Sequence, residues 1–287
     1  MNAVIKHDEV LPRQADSDQQ LIALWLHGRP ATTQRTYLDA VKRLAAFTDK
    51  LLTTINLPDL QGFVDSLEGL AVNSQKRIIA SVKSLFTFGQ KIGYLRFNVA
   101  AAIKQPKSRD DLAQRILTES EVITMIHLTK KQRDQVLLRL LYATGARISE
   151  VCGLTWSHVQ SNGDTGQVTL YGKGGKTRAV KLSKATWQAL QEFRADAVAN
   201  DPVFLSQKGG ALDNTQVHRI VKAAAKRAGI TGNVSAHWLR HSHASHALDR
   251  GANIALVRDT LGHSSLAVTS RYTHAKPDQS SALHLAV

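Results

Sequence analysis

The chain has 287 residues, of which 43% are hydrophobic, so it is long enough to fill the core of one large domain or of two ordinary ones. Its net charge of +14 and isoelectric point of about 10.0 predict a surface that attracts a polyanion, with nucleic acid favoured over a merely basic, soluble protein. The apolar runs fall short of the roughly 18 residues of a membrane helix, residues 1–9 lack a secretory pattern, and the single Cys152 excludes an internal disulfide. We therefore expect a soluble cytoplasmic protein.

The first part of the chain is predicted to be a helical bundle over residues 18–103, preceded by an N-terminal extension over residues 1–17. Apolar residues recur at intervals of three and four in four successive segments, which is the spacing of amphipathic helices. Residues that favour helix starts open these segments, in chain order Asp18, Thr32 or Thr33, Pro58, and Asn73 or Ser74.

The same segment is strongly basic. Between residues 21 and 110 there are 13 Lys or Arg against 6 Asp or Glu, which gives a net charge near +7. The basic side chains fall on the polar sides of the second and fourth predicted helices, where they form either contacts to a DNA backbone or an ordinary solvated face. The candidate DNA-binding residues are Arg35, Lys42, Arg43, Lys76, Arg77 and Lys83.

A polar, charged stretch over residues 104–117 contains a proline and has no apolar periodicity, so it is predicted to be a linker. A second domain is predicted over residues 118–287, where the spacing of Thr118 and Glu121 is that of a capping box at the first helix. Further helices are predicted at residues 136–142, 148–154, 184–198, 214–229 and 236–251.

The hydrophobic period changes to two within this second domain. The change predicts two strands, Gln167–Tyr171 and Thr177–Leu182, which are joined by a glycine-rich, basic turn over residues 172–176. The predicted fold class is therefore mainly α with a small β-sheet: a helical bundle followed by an α+β domain.

Two arginines, two histidines and a tyrosine in the second domain suggest chemistry on a phosphodiester. Guanidinium groups donate bidentate hydrogen bonds to the nonbridging oxygens, which gain negative charge during attack, and a phenol can act as the nucleophile without a metal. Read singly, each arginine is more often part of a surface salt bridge, and the tyrosine is more often a half-buried aromatic residue. The residues are Arg147, His237, Arg240, His263 and Tyr272.

From about residue 18 to residue 275, the chain resembles tyrosine site-specific recombinases, most closely the bacterial Xer-like integrases. Four motifs carry the resemblance, at residues 143–150, 172–176, 237–241 and 261–274. The resemblance implies a SAM-like core-binding domain at residues 18–103 and a catalytic domain at residues 118–287. The family's catalytic positions fall on Arg147, Lys173, His237, Arg240, His263 and Tyr272.

The resemblance also implies the reaction. Tyr272 would attack the scissile phosphorus and leave a 3′-phosphotyrosine and a free 5′-hydroxyl, and strand exchange would pass through a Holliday junction. His237 or His263 would assist removal of the phenol proton. Lys173 would protonate the leaving 5′-oxygen, with Lys176 as the rival candidate.

Other polar residues near these motifs receive supporting roles. His237 and His241 have a spacing that could bind a metal, but a His-Glu-x-x-His motif is lacking, so we expect neither a metal site nor a cofactor. His241 is predicted to orient its neighbours, His243 and His246 to pack or meet solvent, and Glu150 to position a helix.

The expected partners are double-stranded DNA with inverted half-sites and further protomers, either as a homotetramer on two sites or with a related recombinase. We expect no membrane partner and a location at the bacterial nucleoid. The apolar end at residues 281–287 suits docking on a neighbouring protomer. Integration or excision and the resolution of chromosomes, plasmids or transposons all remain open. The alternatives are a nick-and-reseal enzyme like the type IB topoisomerases and a non-catalytic DNA-binding protein on the same fold.

Overall fold

The computed structural model describes residues 14–107 and 112–273, except for the side chain of Lys173. The chain divides into two compact units, Met1–Arg109 and Asp110–Val287. The division falls inside the predicted linker at residues 104–117. Most of the predicted N-terminal extension and the apolar C-terminal end lie outside the described residues.

Four helices and a short 3₁₀ turn make up the described part of the first unit. Their apolar faces meet in one core, in which Leu21, Leu44 and Leu85 are fully buried. The predicted bundle is therefore present. The elements are α1 (Asp18–Leu26), α2 (Ala31–Thr48), α3 (Leu57–Asp65), α4 (Val72–Lys91) and the 3₁₀ turn Val99–Ala102.

Three predicted helix starts in this unit were wrong by one to three residues. Ser17, rather than Asp18, caps α1 by accepting a hydrogen bond from the backbone of Gln20. The Asp18 carboxylate instead accepts from the backbone N–H of Leu52 at 2.8 Å and from the Tyr94 hydroxyl at 2.7 Å, so a distant contact has replaced the local one. Helices α2 and α4 begin at Ala31 and Val72, and their N-cap residues, Pro30 and Ala71, make no side-chain cap hydrogen bond.

The described part of the second unit contains eight helices and three strands. The capping box predicted from Thr118 and Glu121 is present at the start of the first of these helices. The helices are α5 (Glu119–His127), α6 (Gln132–Thr144), α7 (Ile148–Cys152), α8 (Lys184–Arg194), α9 (Asn214–Arg227), α10 (Ala236–Asp249), α11 (Ile254–Leu261) and α12 (Leu266–Ser270). The strands are β1 (Val159–Asn162), β2 (Thr165–Tyr171) and β3 (Thr177–Lys181).

The strands form an antiparallel sheet in the order β1-β2-β3. Val168 of β2 lies opposite both Val159 and Val180, and all three are buried, so this row of side chains attaches the sheet to the core. The β2–β3 hairpin was predicted, whereas β1 was not, because Val159 is its sole buried residue and the strand shows no alternation.

Helix α6 lies at the centre of the second unit. Leu137, Leu138, Leu140 and Leu141 are fully buried because α8 and α10 both pack on this helix. None of the described helices is long and apolar enough to cross a membrane. Helix α10 carries four buried polar or charged residues: Arg240, Ser242, Ser245 and His246.

Candidate active site

A tight turn after α6 presents Arg147. Gly145 ends α6 in the left-handed conformation, with φ of 58°, and Arg147 takes the extended N-cap position of α7. The Arg147 guanidinium donates through Nη1 to Glu150 Oε1 at 2.9 Å and through Nη2 to the carbonyl of Gly262 at 3.2 Å. Its side chain is 36% exposed, so the remaining N–H groups can reach a ligand.

Arg240 is buried in α10, with 6% of its surface exposed. Its Nη1 donates to the carbonyl of Gly145 at 2.5 Å, and its Nη2 donates to the carbonyl of Leu261 at 2.7 Å. Burial lowers the pKa of Arg240 to about 10, and the charge of the neighbouring Arg147 adds to the shift, so the guanidinium is still protonated at neutral pH. The α6–α7 turn and the end of α11 thus hold both guanidiniums.

Tyr272 follows α12 and is buried, with 7% of its surface exposed. Its hydroxyl lies 2.8 Å from Nδ1 of His241, and its ring stacks on that of His263 with an angle of 7° between the planes. Burial raises the pKa of Tyr272 against the opposing effect of Arg240, so the phenol is protonated at neutral pH. The structure therefore places a neutral phenol between two imidazoles.

The histidines around Tyr272 are neutral at physiological pH. Burial lowers the pKa of His263 to about 4, with further contributions from Arg240 and Arg147. Burial also lowers the pKa of His241 to about 4, and the pKa of His237 is lowered for the same reason. Neutral imidazoles accept hydrogen bonds as well as donate them, which suits groups that contact a phenol.

Glu150 ties the Arg147 turn to the β-hairpin. Its buried carboxylate accepts from Nη1 and Nη2 of Arg178 at 2.9 and 2.8 Å, and from both the guanidinium and the backbone N–H of Arg147. Burial would raise the pKa of Glu150, but these hydrogen bonds outweigh it and lower the pKa. We call Arg147, Arg178, Arg240 and Glu150 the arginine cluster.

Arg178 had no predicted role. The signal in the sequence was weak: β3 alternates, and Arg178 shares its inward face with the buried Val180, an unusual place for a charge. Its partner Glu150 was predicted to position a helix, and it does close a capping box at the start of α7. What the sequence did not reveal is that Glu150 also binds Arg178.

Lys173 begins a short 3₁₀ turn, Lys173–Gly175, between β2 and β3. Its side chain lies outside the described part of the structure. The backbone just before it passes close to the arginine cluster, because a Cβ atom added at Gly172 would lie 3.2 Å from Glu150 Oε1. The rival candidate Lys176 lines an open cleft of about 600 Å³ together with Arg147 and His263.

The remaining histidines of α10 pack inside the second unit. Nδ1 of His243 lies 2.8 Å from the carbonyl of Tyr142, and Nδ1 of His246 lies 2.8 Å from the hydroxyl of the same tyrosine. Cys152 is half-buried against the core, and burial raises the pKa of its thiol to about 11. Across residues 14–107 and 112–273, no group of three or more His, Cys, Asp or Glu side chains is arranged to hold a metal ion.

The sequence profile of the phage integrase family matches residues 115–279, which include this whole site. The tyrosine recombinase XerC of Corynebacterium efficiens is 36% identical over 259 residues, covering 86% of this chain and 82% of that protein. XerC of Xylella fastidiosa, strain M23, is 33% identical over 231 residues, covering 78% of each chain. The chain is a tyrosine recombinase of the phage integrase family. The predicted family and enzyme class are thereby confirmed.

Solved structures show that the recombinase shares its fold with this family. The XerH recombinase bound to a palindromic difH substrate, in a post-cleavage complex, matches with a TM-score of 0.76 at 24% identity, covering 91% of this chain and 82% of that one. A lambda integrase dimer bound to a COC′ core site matches with a TM-score of 0.76 at 19% identity, covering 92% and 95%. The predicted fold class is confirmed.

In the first unit of the recombinase, three of the predicted DNA-binding residues lie together. Lys42, Arg43 and Arg77 line a cleft of about 470 Å³ between α2 and the start of α4, which we call the basic cleft. Arg35 is exposed on α2 and Lys76 is half-buried on α4. The Lys83 ammonium donates to the carbonyls of the 3₁₀ turn region at Ala101 and Ile103, so part of its hydrogen-bonding capacity is used within the unit.

Proposed function

We propose that the recombinase cleaves one DNA strand per protomer with Tyr272 and rejoins the 3′-phosphotyrosine to a strand of a partner duplex. The observation that carries the proposal is the setting of the buried Tyr272, whose hydroxyl lies 2.8 Å from Nδ1 of His241, whose ring stacks on His263, and whose pKa is raised by burial against the opposing effect of the nearby charge of Arg240. A tyrosine that only packed in the core would not need a nearby arginine such as Arg240, whose guanidinium is held in place by hydrogen bonds to backbone carbonyls. Site-specific recombination is the activity of the family to which the chain belongs.

The proposed cleavage is a transesterification. The Tyr272 oxygen forms a bond to the scissile phosphorus, the bond from phosphorus to the 5′-oxygen breaks, and the phenol loses its proton as the 5′-oxygen gains one. Arg147 and Arg240 hydrogen-bond the nonbridging oxygens, where negative charge grows. His237 and His263, whose lowered pKa values keep them neutral, would bind the phosphate and assist removal of the phenol proton.

The proton donor to the leaving 5′-oxygen is proposed to be Lys173 on the β2–β3 turn. Support comes from the course of the backbone, since the preceding Gly172 lies beside Glu150 and Arg147. Glycines at 174 and 175 take positive φ values of 76° and 73°, so this turn can hold a tight shape that bulkier residues would strain. Lys176 is the alternative donor.

The substrate is proposed to be duplex DNA with inverted half-sites, which the first unit binds through its basic cleft. The exposed Lys42, Arg43 and Arg77 suit contacts to phosphates. Matching solved structures include a lambda integrase tetramer bound to a Holliday junction, with a TM-score of 0.74 at 19% identity. By analogy, we propose that four protomers assemble on two sites and exchange strands through such a junction, in integration, excision or resolution.

The test uses sheared genomic DNA from the source organism, so no site need be known beforehand. The protein is incubated with the fragments, the reaction is stopped with detergent, and protein-linked DNA is recovered and sequenced. We expect the wild type to yield adducts at one sequence with inverted half-sites. Tyr272→Phe should still bind a duplex with that sequence but form no adduct, because it keeps the ring and loses the nucleophilic oxygen.

Tyr142→Phe is the matched control, because the Tyr142 hydroxyl also hydrogen-bonds a histidine of α10, but the charged groups that act on it are Glu119 and Arg250 and not the arginine cluster. It should form adducts at the wild-type level. A normal adduct yield from Tyr272→Phe would place the nucleophile elsewhere. Nicking and resealing of plasmids without a preferred sequence would instead support the topoisomerase-like alternative.

A further inference from the structure

The carboxylate of Glu150 is the most highly coordinated charged group of the arginine cluster. The side chain is 1% exposed, and its two oxygens accept four hydrogen bonds, two from Arg147 and two from Arg178. A buried carboxylate without sufficient cationic partners is strongly unfavourable. The negative charge of Glu150 therefore has to be compensated, and both Arg147 and Arg178 pair with it.

The two arginines differ in what else they contact. The Arg178 side chain is 11% exposed. It donates hydrogen bonds through Nη1 and Nη2 to Glu150 and through Nε to the carbonyl of Thr260 at 2.5 Å. All three of its nitrogens thus face protein groups. Arg147, by contrast, is 36% exposed and contributes a single guanidinium nitrogen to Glu150.

We propose that Arg178 is a positioning residue that neutralises Glu150 and thereby leaves Arg147 available to bind the scissile phosphate. This inference rests on the proposed function, in which Arg147 contacts that phosphate. Since Arg178 also holds Thr260, near the end of α11, it fixes the β-hairpin against the segment that leads to His263. One side chain thus joins the hairpin, the α7 turn and the histidine segment.

The physical argument concerns competition for one cation. Without Arg178, Glu150 would keep Arg147 as its neighbouring cationic partner in a surrounding of low dielectric constant. Arg147 would then be drawn into a closed pair with Glu150, and its charge would be cancelled instead of being directed at a phosphate. Arg178 prevents this, because its planar guanidinium donates one hydrogen bond to each carboxylate oxygen of Glu150.

The test compares Arg178→Met with the double variant Glu150→Gln plus Arg178→Met. The substrate is a nicked duplex built on the sequence recovered with the wild type, and single-turnover adduct formation is measured beside gel-shift binding. Arg178→Met should slow adduct formation on the order of 100-fold, comparable to the loss of a transition-state contact. The double variant should regain at least about 10-fold of that loss, because the uncompensated carboxylate is gone.

Lys181→Met is the charge-matched control. Lys181 lies on the exposed face of the same strand, so its replacement removes one positive charge without touching Glu150. We expect near-normal adduct formation from it, and binding by Arg178→Met should fall no further than binding by this control. Arg178→Lys keeps the charge but cannot make the bidentate hydrogen bonds, so its rate of adduct formation should lie between those of the wild type and Arg178→Met. It also keeps the test valid if Arg178→Met folds poorly.

A pH profile separates this role from simple structural support. In Arg178→Met, the pKa of Glu150 should rise, since the carboxyl remains buried and loses its bidentate partner. The other charged groups facing Glu150 are Arg147, before α7, and Arg240, on α10, and the Arg240 guanidinium, with its pKa of about 10, stays protonated throughout. Adduct formation by Arg178→Met should therefore recover as the pH falls from 8 to 5.5, whereas the wild type and Lys181→Met should show no such recovery.

Two results would overturn the inference. One is an Arg178→Met rate equal to that of Lys181→Met, and the other is a double variant as slow as Arg178→Met with no recovery at low pH. Failure of the proposed function would look different, because the wild type itself would form no adduct.

Discussion

The basic cleft of the first unit and the arginine cluster of the second unit use positive charge in opposite ways. Lys42, Arg43 and Arg77 are exposed along the cleft between α2 and α4. Arg178 and Arg240 are instead held by carbonyl and carboxylate groups inside the second unit. Exposed charges are mobile and screened by salt, whereas charges braced by protein groups need no reorganisation when a transition state forms. We therefore expect the basic cleft to contribute mainly to the affinity for DNA, and the arginine cluster to contribute mainly to the rate of strand cleavage.

Among the variants that test this difference between the two regions, Arg240→Ala is expected to have the largest effect. Removing the braced guanidinium should slow adduct formation on the order of 100-fold or more, while affinity for duplex DNA falls much less, because the contact strengthens as charge develops on the phosphate. Single-turnover cleavage measured beside gel-shift binding checks this. Arg194→Ala, which removes an arginine stacked on Trp156 in the same unit, is the control and should cleave normally.

If Arg240→Ala lost cleavage rate and DNA affinity equally, the proposed difference between the two regions would be wrong. Arg240 would then be a general phosphate contact, no different in kind from the lysine and arginines of the basic cleft.

A smaller effect, confined to binding, is expected from Arg43→Ala combined with Arg77→Ala. Each lost phosphate contact lowers the slope of log K against log salt by about 0.9, so the double variant should lose nearly twice that amount. Its adduct rate at saturating protein should stay normal. Affinity measured across a salt series provides the test.

The matched control for the basic cleft is Lys50→Ala combined with Lys91→Ala. Lys50 pairs with Asp59 and Lys91 ends α4, and neither lines the cleft. This pair removes the same charge from the same unit and should change the slope less. An equal change in both double variants would mean that net charge, rather than the cleft, governs DNA binding.

The sequence predicted the residue types of the site but not the bonds between them. Arg147, Arg240, His263 and Tyr272 were recognisable because motif order and spacing mark them, and the structure does bring them together. Arg178 was missed because its role depends on Glu150, 28 residues earlier, and on Thr260, 82 residues later, and no local pattern encodes such separations.

The fold shows the same limit. Periodicity predicted the bundle and the β-hairpin, since both depend on local apolar spacing. It did not predict β1, α11 or α12, and β1 in particular has a single buried residue and no alternation. Asp18 was taken for a cap because its type suits one, yet its carboxylate binds Leu52 and Tyr94 across the unit.

The smallest predicted effect concerns protonation of the site. The pKa of both His241 and His263 is lowered to about 4, below the ordinary value near 6.5, so the unfolded chain binds more protons than the folded one between these limits. Stability from these groups is present above pH 6.5 and is lost as the pH falls toward 4. Urea unfolding at pH 7, 6 and 5 should show the decline.

His241→Asn should make that decline shallower, because it removes one of the histidines whose pKa is lowered in the folded protein while keeping a polar atom near Tyr272. His127→Asn, at the exposed end of α5, is the control and should leave the pH dependence as in the wild type. A decline as steep in His241→Asn as in the wild type would mean that other groups cause it.

The central claim is that Tyr272, within the braced surroundings of the second unit, is the group that joins to DNA. The most direct test is mass spectrometry of the trapped adduct after digestion with trypsin and nuclease. We predict a nucleotide linked through its 3′-phosphate to the first residue of the peptide that follows Arg271, and a 5′-hydroxyl on the released strand. Attachment at any other residue, or a link through a 5′-phosphate, would contradict the account.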